Sequence, residues 1–233
     1  MSRNPVAIDV KSVDVKSNIR ELEKRIARAA ERANRSPAEI TIVGVTKAIE
    51  PWIIQQAFEA GMRHFGENRV QEAKGKIGQL PTLQPPPTWH MVGHLQTNKA
   101  KTAIELFDMI QSIDSVGLAE VLSRHAQHHI PILLQVNVSG EASKFGFPPA
   151  EVSSAVEQIS RLPYLEIRGL MTIAPFTDNP DEVRPIFRRL KLLRDSLGLE
   201  HLSMGMTDDF EVAIEEGATM VRIGRAIFGE RRE

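Results

Sequence analysis

The chain has 233 residues, a length between one large domain and two small ones at about 150 residues per domain. A hydrophobic content of 42% supports a substantial core, and 29 basic against 30 acidic residues leave a net charge of -1, which provides no overall field toward nucleic acid or anionic lipid. The absence of cysteine excludes disulfides, thiol catalysis, iron–sulfur clusters and cysteine zinc sites, and suits a reducing compartment.

Met1 to Arg20 carries no apolar run behind basic residues, and 18 consecutive apolar residues occur nowhere, so neither a signal peptide nor a membrane span is expected. A soluble cytoplasmic protein is the default. Residues 11 to 34 read as a helix, with Val15, Ile19, Leu22 and Ile26 on one face. Ser36-Pro37-Ala38-Glu39 forms a capped turn that leads into the first strand, Ile40 to Val45.

Apolar runs then recur at Arg63–Phe65, Trp89–Val92, Met109–Ser112, Ile132–Val138, Glu166–Met171, His201–Met204 and Met220–Ile223. Helix-like stretches lie between them at Pro51–Ala60, Arg69–Ile77, Lys99–Leu106, Gly117–His128, Ala150–Arg161, Asp181–Leu197 and Asp208–Glu216. Gly78 to Pro87, which contains four prolines, reads as a stiff surface loop. Strict alternation implies crossover units and a parallel sheet. Eight units in this length favour a single α/β domain over 1–233, a (β/α)8 TIM barrel with an extra N-terminal helix.

In such a barrel, chemistry belongs where strands end. Lys47 follows the first strand, and an amine at the mouth of an apolar barrel is partly desolvated, as a carbonyl nucleophile must be; a solvated loop lysine is the plain alternative. Ser203-Met204-Gly205-Met206-Thr207 follows the seventh strand and runs into a helix capped by Thr207 or Asp208, while Gly224-Arg225-Ala226 follows the eighth. Paired loops of this kind hold phosphate in many barrels, although glycines also serve simply as tight turns.

Several longer motifs frame these positions. They are Val45-Thr46-Lys47, the run His64 to Glu72, the run Trp89 to Lys99, Lys144-Phe145-Gly146, Arg168 to Ile173, Ser203 to Phe210 and Val221 to Gly229. In this order, over nearly the whole chain, they resemble the YggS/PROSC family of pyridoxal phosphate homeostasis proteins. The resemblance implies a barrel like the N-terminal domain of alanine racemase, with pyridoxal 5'-phosphate (PLP) held as a Schiff base on Lys47. It further implies that Ser203, Gly205, Met206, Thr207, Gly224 and Arg225 hold the phosphate and that Arg222 faces the pyridine nitrogen. Asn68 would lie near the ring hydroxyl, with His90 and Met171 lining the pocket. The family often has Ser-Lys-Thr around its lysine, whereas this chain has Thr46-Lys47-Ala48, which alters a neighbouring contact but not the amine.

An arginine opposite the pyridine nitrogen disfavours its protonation. At about 4 Å and an effective dielectric near 20 the repulsion is roughly 4 kcal/mol, or about 3 pK units, so the electron sink is weak. Racemases with the same nitrogen partner add a second base from another domain. This chain ends at Glu233, ten residues past Ile223, and its one tyrosine, Tyr164, precedes the sixth strand at the opposite end of the barrel. The expectation is therefore a PLP carrier in vitamin B6 homeostasis with little or no turnover, indirectly affecting amino-acid and keto-acid metabolism. It would be a monomer or weak dimer, with apo PLP enzymes as recipients and no nucleic-acid or membrane partner.

The alternatives are a slow racemase or lyase using Lys47 and His90 as bases, and an aldolase or isomerase barrel in which Lys47 bonds to substrate. His125, His128 and His129 form no expected metal site, since the first two fall on an outer helix without a carboxylate. His90 and His94 span a strand and a loop. The basic run Arg184, Arg188, Arg189, Lys191 and Arg194 reads as a solvated face balanced by Asp181, Glu182 and Asp195.

Overall fold

The computed structural model describes residues 14–80, 83–141 and 144–229. The predicted helix start at 11–13, Pro81 of the proline loop, and the C-terminal residues 230–233 lie outside them. Strands β1 (Thr41–Val45), β2 (His64–Glu67), β3 (Thr88–Met91), β4 (Met109–Ile113), β5 (Ile130–Gln135), β6 (Leu165–Met171), β7 (His201–Ser203) and β8 (Met220–Ile223) alternate with helices. These helices are α2 (Pro51–Glu59), α3 (Val70–Ile77), α4 (Ala100–Leu106), α5 (Val116–His125), α6 (Val152–Ile159), α7 (Arg184–Ser196), α8 (Phe210–Glu215) and α9 (Arg225–Phe228). The strands close in sequence order, and β8 pairs in parallel with β1. All eight expected strands are present, each within a few residues of its predicted bounds.

Closure explains the composition of the strands. Each is covered by the barrel interior on one face and by helices on the other, so β4 is buried along its whole length. The helix α1 (Val15–Arg32) is capped by Asp14, whose carboxylate accepts the Ser17 N–H at 2.9 Å, and it buries Val15, Ile19, Leu22, Ile26, Ala29 and Ala30. It packs against α2, α8 and α9. Arg25 and Arg32 bond to Glu211 and Glu215 on α8, and the Asn18 amide donates to the Ile227 carbonyl at 2.9 Å. The Ser36–Glu39 turn is a 3-10 turn with the reciprocal capping box predicted from its residues.

Local differences from the sequence reading have identifiable causes. α5 stops at His125, where Ala126 turns to extended backbone, so His128 is not helical. His129 also lies 3.5 Å from Glu166, a carboxylate contributed by β6. The expected helix at 181–197 divides into a 3-10 turn over Pro180–Val183, capped by Asn179, and α7. α8 begins at Phe210, not Asp208. Its N-cap is Asp209, whose carboxylate turns back to accept the Met206 N–H at 2.6 Å, so neither Thr207 nor Asp208 caps it. In the basic run on α7, Arg184 bonds to Asp181 and Arg194 to Asp195 as expected, and Glu215 and Glu216 at the end of α8 add to the balance by bonding to Arg184 and Arg188.

Candidate functional site

Register brings the first and last strands together at the mouth. Val43 pairs with Arg222 and Gly44 with Ile223, so the segment leading to Lys47 runs beside Gly224 and Arg225. Lys47 is half-buried and lines a cleft of about 490 Å3 with Asn68, Met91, His94, Gln96 and Lys99. Gly93 lets the β3 loop lie against the backbone of Asn68, where a Cβ would collide with the carbonyl.

The β7 and β8 loops form a second wall. Gly205 has φ 92, and a Cβ there would approach Ala213 Cβ to 2.5 Å and Phe210 Cα to 2.9 Å, so only glycine allows this backbone to seat on α8. Burial raises the Asp209 carboxyl, against its bond from the Met206 N–H and the charge of Arg222. The Thr207 hydroxyl accepts the Ala226 N–H at 3.4 Å, joining the two loops. Arg225 points outward to Asp208 at 2.5 Å, and with Thr207 it lines a separate cleft of about 450 Å3 that includes Arg25 and Phe176. The β7 and β8 loops thus meet through backbone and hydroxyl, while the Arg225 cation is engaged by a carboxylate.

Beneath the mouth, Arg222, Ser203 and His90 join one polar chain through the barrel. Arg222 is 4% exposed. It donates from Nη1 to the Ser203 hydroxyl at 2.7 Å and from Nη2 to the Thr172 carbonyl at 2.8 Å. Ser203 donates to Gln111 Oε1 at 2.6 Å, Gln111 Nε2 lies 3.0 Å from His90 Nδ1, and His90 Nε2 lies 3.0 Å from His64 Nδ1. A guanidinium only donates, so every bond in the chain acquires a direction. Ser203 accepts from Arg222 and donates to Gln111, whose amide donates to His90. This network assigns both histidines as neutral Nε2–H tautomers. Burial, reinforced by His64 and His201, holds His90 down at about 3. Burial likewise lowers Arg222 to about 10 despite the opposing field of Asp209, so the guanidinium remains charged at neutral pH.

His90 and Met171 are therefore enclosed and do not line the open cleft. Met171 is fully buried and packs with Met109, Leu133 and Met220 inside the barrel. The structure also brings forward residues that sequence reasoning passed over. Gln111 stands out as a polar residue inside the apolar strand Met109-Ile110-Gln111-Ser112-Ile113. His94, which the sequence places on a loop after β3, pairs with Asp114 after β4, His94 Nδ1 lying 2.9 Å from the carboxylate. The His94 ring stacks on Phe145 at 3.8 Å and shares the cleft with Lys47. Among the described residues, no group of three or more metal-ligating side chains converges, and no helix is long and apolar enough to cross a membrane.

A parallel eight-stranded barrel with a lysine at the end of β1 and a glycine cradle after β7 defines a class, and comparison with known proteins identifies it. Residues 17–232 match the family model of the alanine racemase N-terminal domain. A pyridoxal phosphate homeostasis protein from Aquifex aeolicus is 43% identical over 218 residues, covering 90% of this chain and 95% of that one. The structure of PipY from Synechococcus elongatus with PLP bound superposes with a TM-score of 0.81 at 36% identity, over 93% of this chain and all of PipY. An alanine racemase from Clostridium difficile shares the fold alone, with a TM-score of 0.69 at 16% identity over 93% of this chain and 58% of its own. The chain belongs to the YggS/PROSC family of pyridoxal phosphate homeostasis proteins.

Proposed function

We propose that this chain holds PLP as a Schiff base on Lys47 and serves intracellular PLP homeostasis with little or no turnover. The observation that carries the reading is the joining of the half-buried Lys47 segment, by β1–β8 register, to the Arg222 strand and the β8 loop. The chain's residues fit the cofactor: a lysine in a cleft, a β7 loop whose close seating on α8 requires Gly205, and a buried cation that, among the described residues, bonds to a hydroxyl and a carbonyl but to no carboxylate. PLP, when bound, supplies an aldehyde for an amine and a ring that withdraws electrons.

The protein supplies positioning and electrostatics. Lys47 offers the amine, and Asn68 sits on the same cleft wall. Ser203, Gly205, Met206, Thr207, Gly224 and Arg225 would hold the phosphate, chiefly through backbone groups and the Thr207 hydroxyl, since the Ser203 hydroxyl is engaged by Arg222 and Gln111 and the Met206 N–H by Asp209. Arg222, pinned at two nitrogens, would place positive charge near the ring nitrogen and oppose its protonation. His90 is enclosed and bonded at both ring nitrogens, so it is not a base at the mouth. The reading extends, on the family resemblance, to a carrier that delivers PLP to apo enzymes in the cytoplasm, working as a monomer or weak dimer without nucleic acid or membrane. Met171 contributes by filling the barrel beneath the site.

A slow racemase or lyase is the second reading, and the His94–Asp114 pair in the Lys47 cleft favours it. The deciding experiment compares absorption spectra of purified wild type and Lys47→Ala, with borohydride reduction to locate the adduct. The carrier reading expects a reducible adduct on Lys47 that is absent from the variant, together with no steady-state racemisation or elimination of amino acids. An adduct persisting in Lys47→Ala removes Lys47 from the mechanism. Robust turnover by wild type establishes the enzyme.

A further inference from the structure

Behind Lys47 lies a buried ion cluster, none of whose members lines the cleft. Lys76 on α3 is 7% exposed, and its ammonium donates to the Thr46 carbonyl at 2.6 Å, Glu67 Oε1 at 2.7 Å and Glu72 Oε1 at 2.8 Å. All three ammonium hydrogens are thereby used. Glu67, fully buried at the end of β2, also accepts the Thr46 hydroxyl at 2.6 Å. The Glu72 oxygen that meets Lys76 also accepts the Ala48 N–H at 2.6 Å.

The cluster thus holds the chain on both sides of Lys47, at Thr46 before it and Ala48 after it. Ala48 has φ 58, a left-handed conformation that is costly for any residue with a Cβ. The buried Lys76–Glu67 pair is an expensive way to fill space, since apolar side chains of similar volume are commonly at least as stabilising. What the charges add here is directed bonding to the two residues flanking one lysine.

We propose that Glu72, backed by Lys76 and Glu67, is a positioning residue for Lys47. By holding Ala48 left-handed, it makes Lys47 leave the end of β1 toward the cleft in a single orientation. This inference rests on Lys47 being the Schiff-base lysine, a step in which its nitrogen bonds to the cofactor's aldehyde carbon and one water departs.

The test follows the absorbance change as PLP is added to cofactor-free wild type, Glu72→Ala, Glu72→Gln, Ala48→Gly and the double variant Ala48→Gly/Glu72→Ala. Glu72 is partly exposed, so its variants are suited to folding normally, and thermal midpoints confirm this. Glu72→Ala is expected to form the adduct about tenfold more slowly, the scale of releasing one non-glycine residue from a left-handed conformation. Glu72→Gln retains an oxygen for Ala48 and stays within about twofold of wild type, because the bond rather than the charge matters. Ala48→Gly removes the Cβ penalty, so the double variant recovers most of the lost rate.

A wild-type rate in Glu72→Ala, or failure of Ala48→Gly to restore it, overturns the positioning role. Loss in Glu72→Gln equal to that in Glu72→Ala overturns it in favour of a charge effect. Borohydride labelling of wild type separates the two levels. A label away from Lys47 removes the cofactor assignment and this inference together, whereas a label on Lys47 with unchanged variant rates removes this inference alone.

Discussion

Ser203 shows how one hydroxyl can set the polarity of a whole barrel interior. It accepts from Arg222 and donates to Gln111, and it has no alternative partner of comparable geometry. Replacing it by alanine leaves the Arg222 Nη1 donor and the Gln111 acceptor without that partner in a buried place. Ser203→Ala should therefore cost about 1–3 kcal/mol, the usual penalty for an unmet buried polar group, read from urea unfolding. Unchanged stability would show that the chain of bonds is not required for folding. Lys47 was legible in the sequence because it directly follows an apolar run. Gln111 was passed over because its partners, Ser203 and His90, come from other strands.

Among the elements, β6 carries a constraint that its apolar pattern hides. Gly169 pairs with His201 of β7, and a Cβ at this position would run into the His201 backbone. The β5–β6 register also shifts between Ile132 and Leu133, where Arg168 is passed over, so the strand is bent just where β7 must lie close. Gly169→Ala should destabilise the protein by about 1–3 kcal/mol, the common cost of overpacking, and lower the thermal midpoint. An unchanged midpoint would mean that β7 can move away freely. Element identity was legible throughout, since alternating apolar runs and amphipathic stretches map onto strands and helices. Termini were less so: the Asp209 carboxylate turns back to the Met206 N–H three residues earlier instead of capping α8, which starts at Phe210.

At the scale of the whole molecule, the barrel buries histidines in their neutral form. Burial lowers His90 to about 3 and, to a lesser degree, His64 and His201. The unfolded chain binds these protons as pH falls below about 6.5, while the folded chain refuses them. Stability should therefore be flat in these groups above that pH and decline as pH falls toward 3. His90→Gln should reduce the slope of unfolding free energy by up to ~1.4 kcal/mol per pH unit in that window, one proton's worth. Parallel urea titrations at pH 7, 6, 5 and 4 check it, and equal slopes would place the acid sensitivity elsewhere.

Periodicity and alternation determined the parallel barrel, the N-terminal helix and the position of Lys47 at a strand end, because these depend on neighbours within a few residues along the chain. Motifs running nearly the whole length determined the family. Tertiary structure alone decided that Gln111 would meet Ser203, that Lys76, Glu67 and Glu72 would brace Thr46 and Ala48, and that Arg225 would engage Asp208. Such contacts depend on barrel closure and register, which bring together residues as far as 209 positions apart in sequence. Apart from the i,i+4 pair of Glu72 and Lys76, no local pattern encodes them, because a buried polar side chain is satisfied by what other elements of the barrel present.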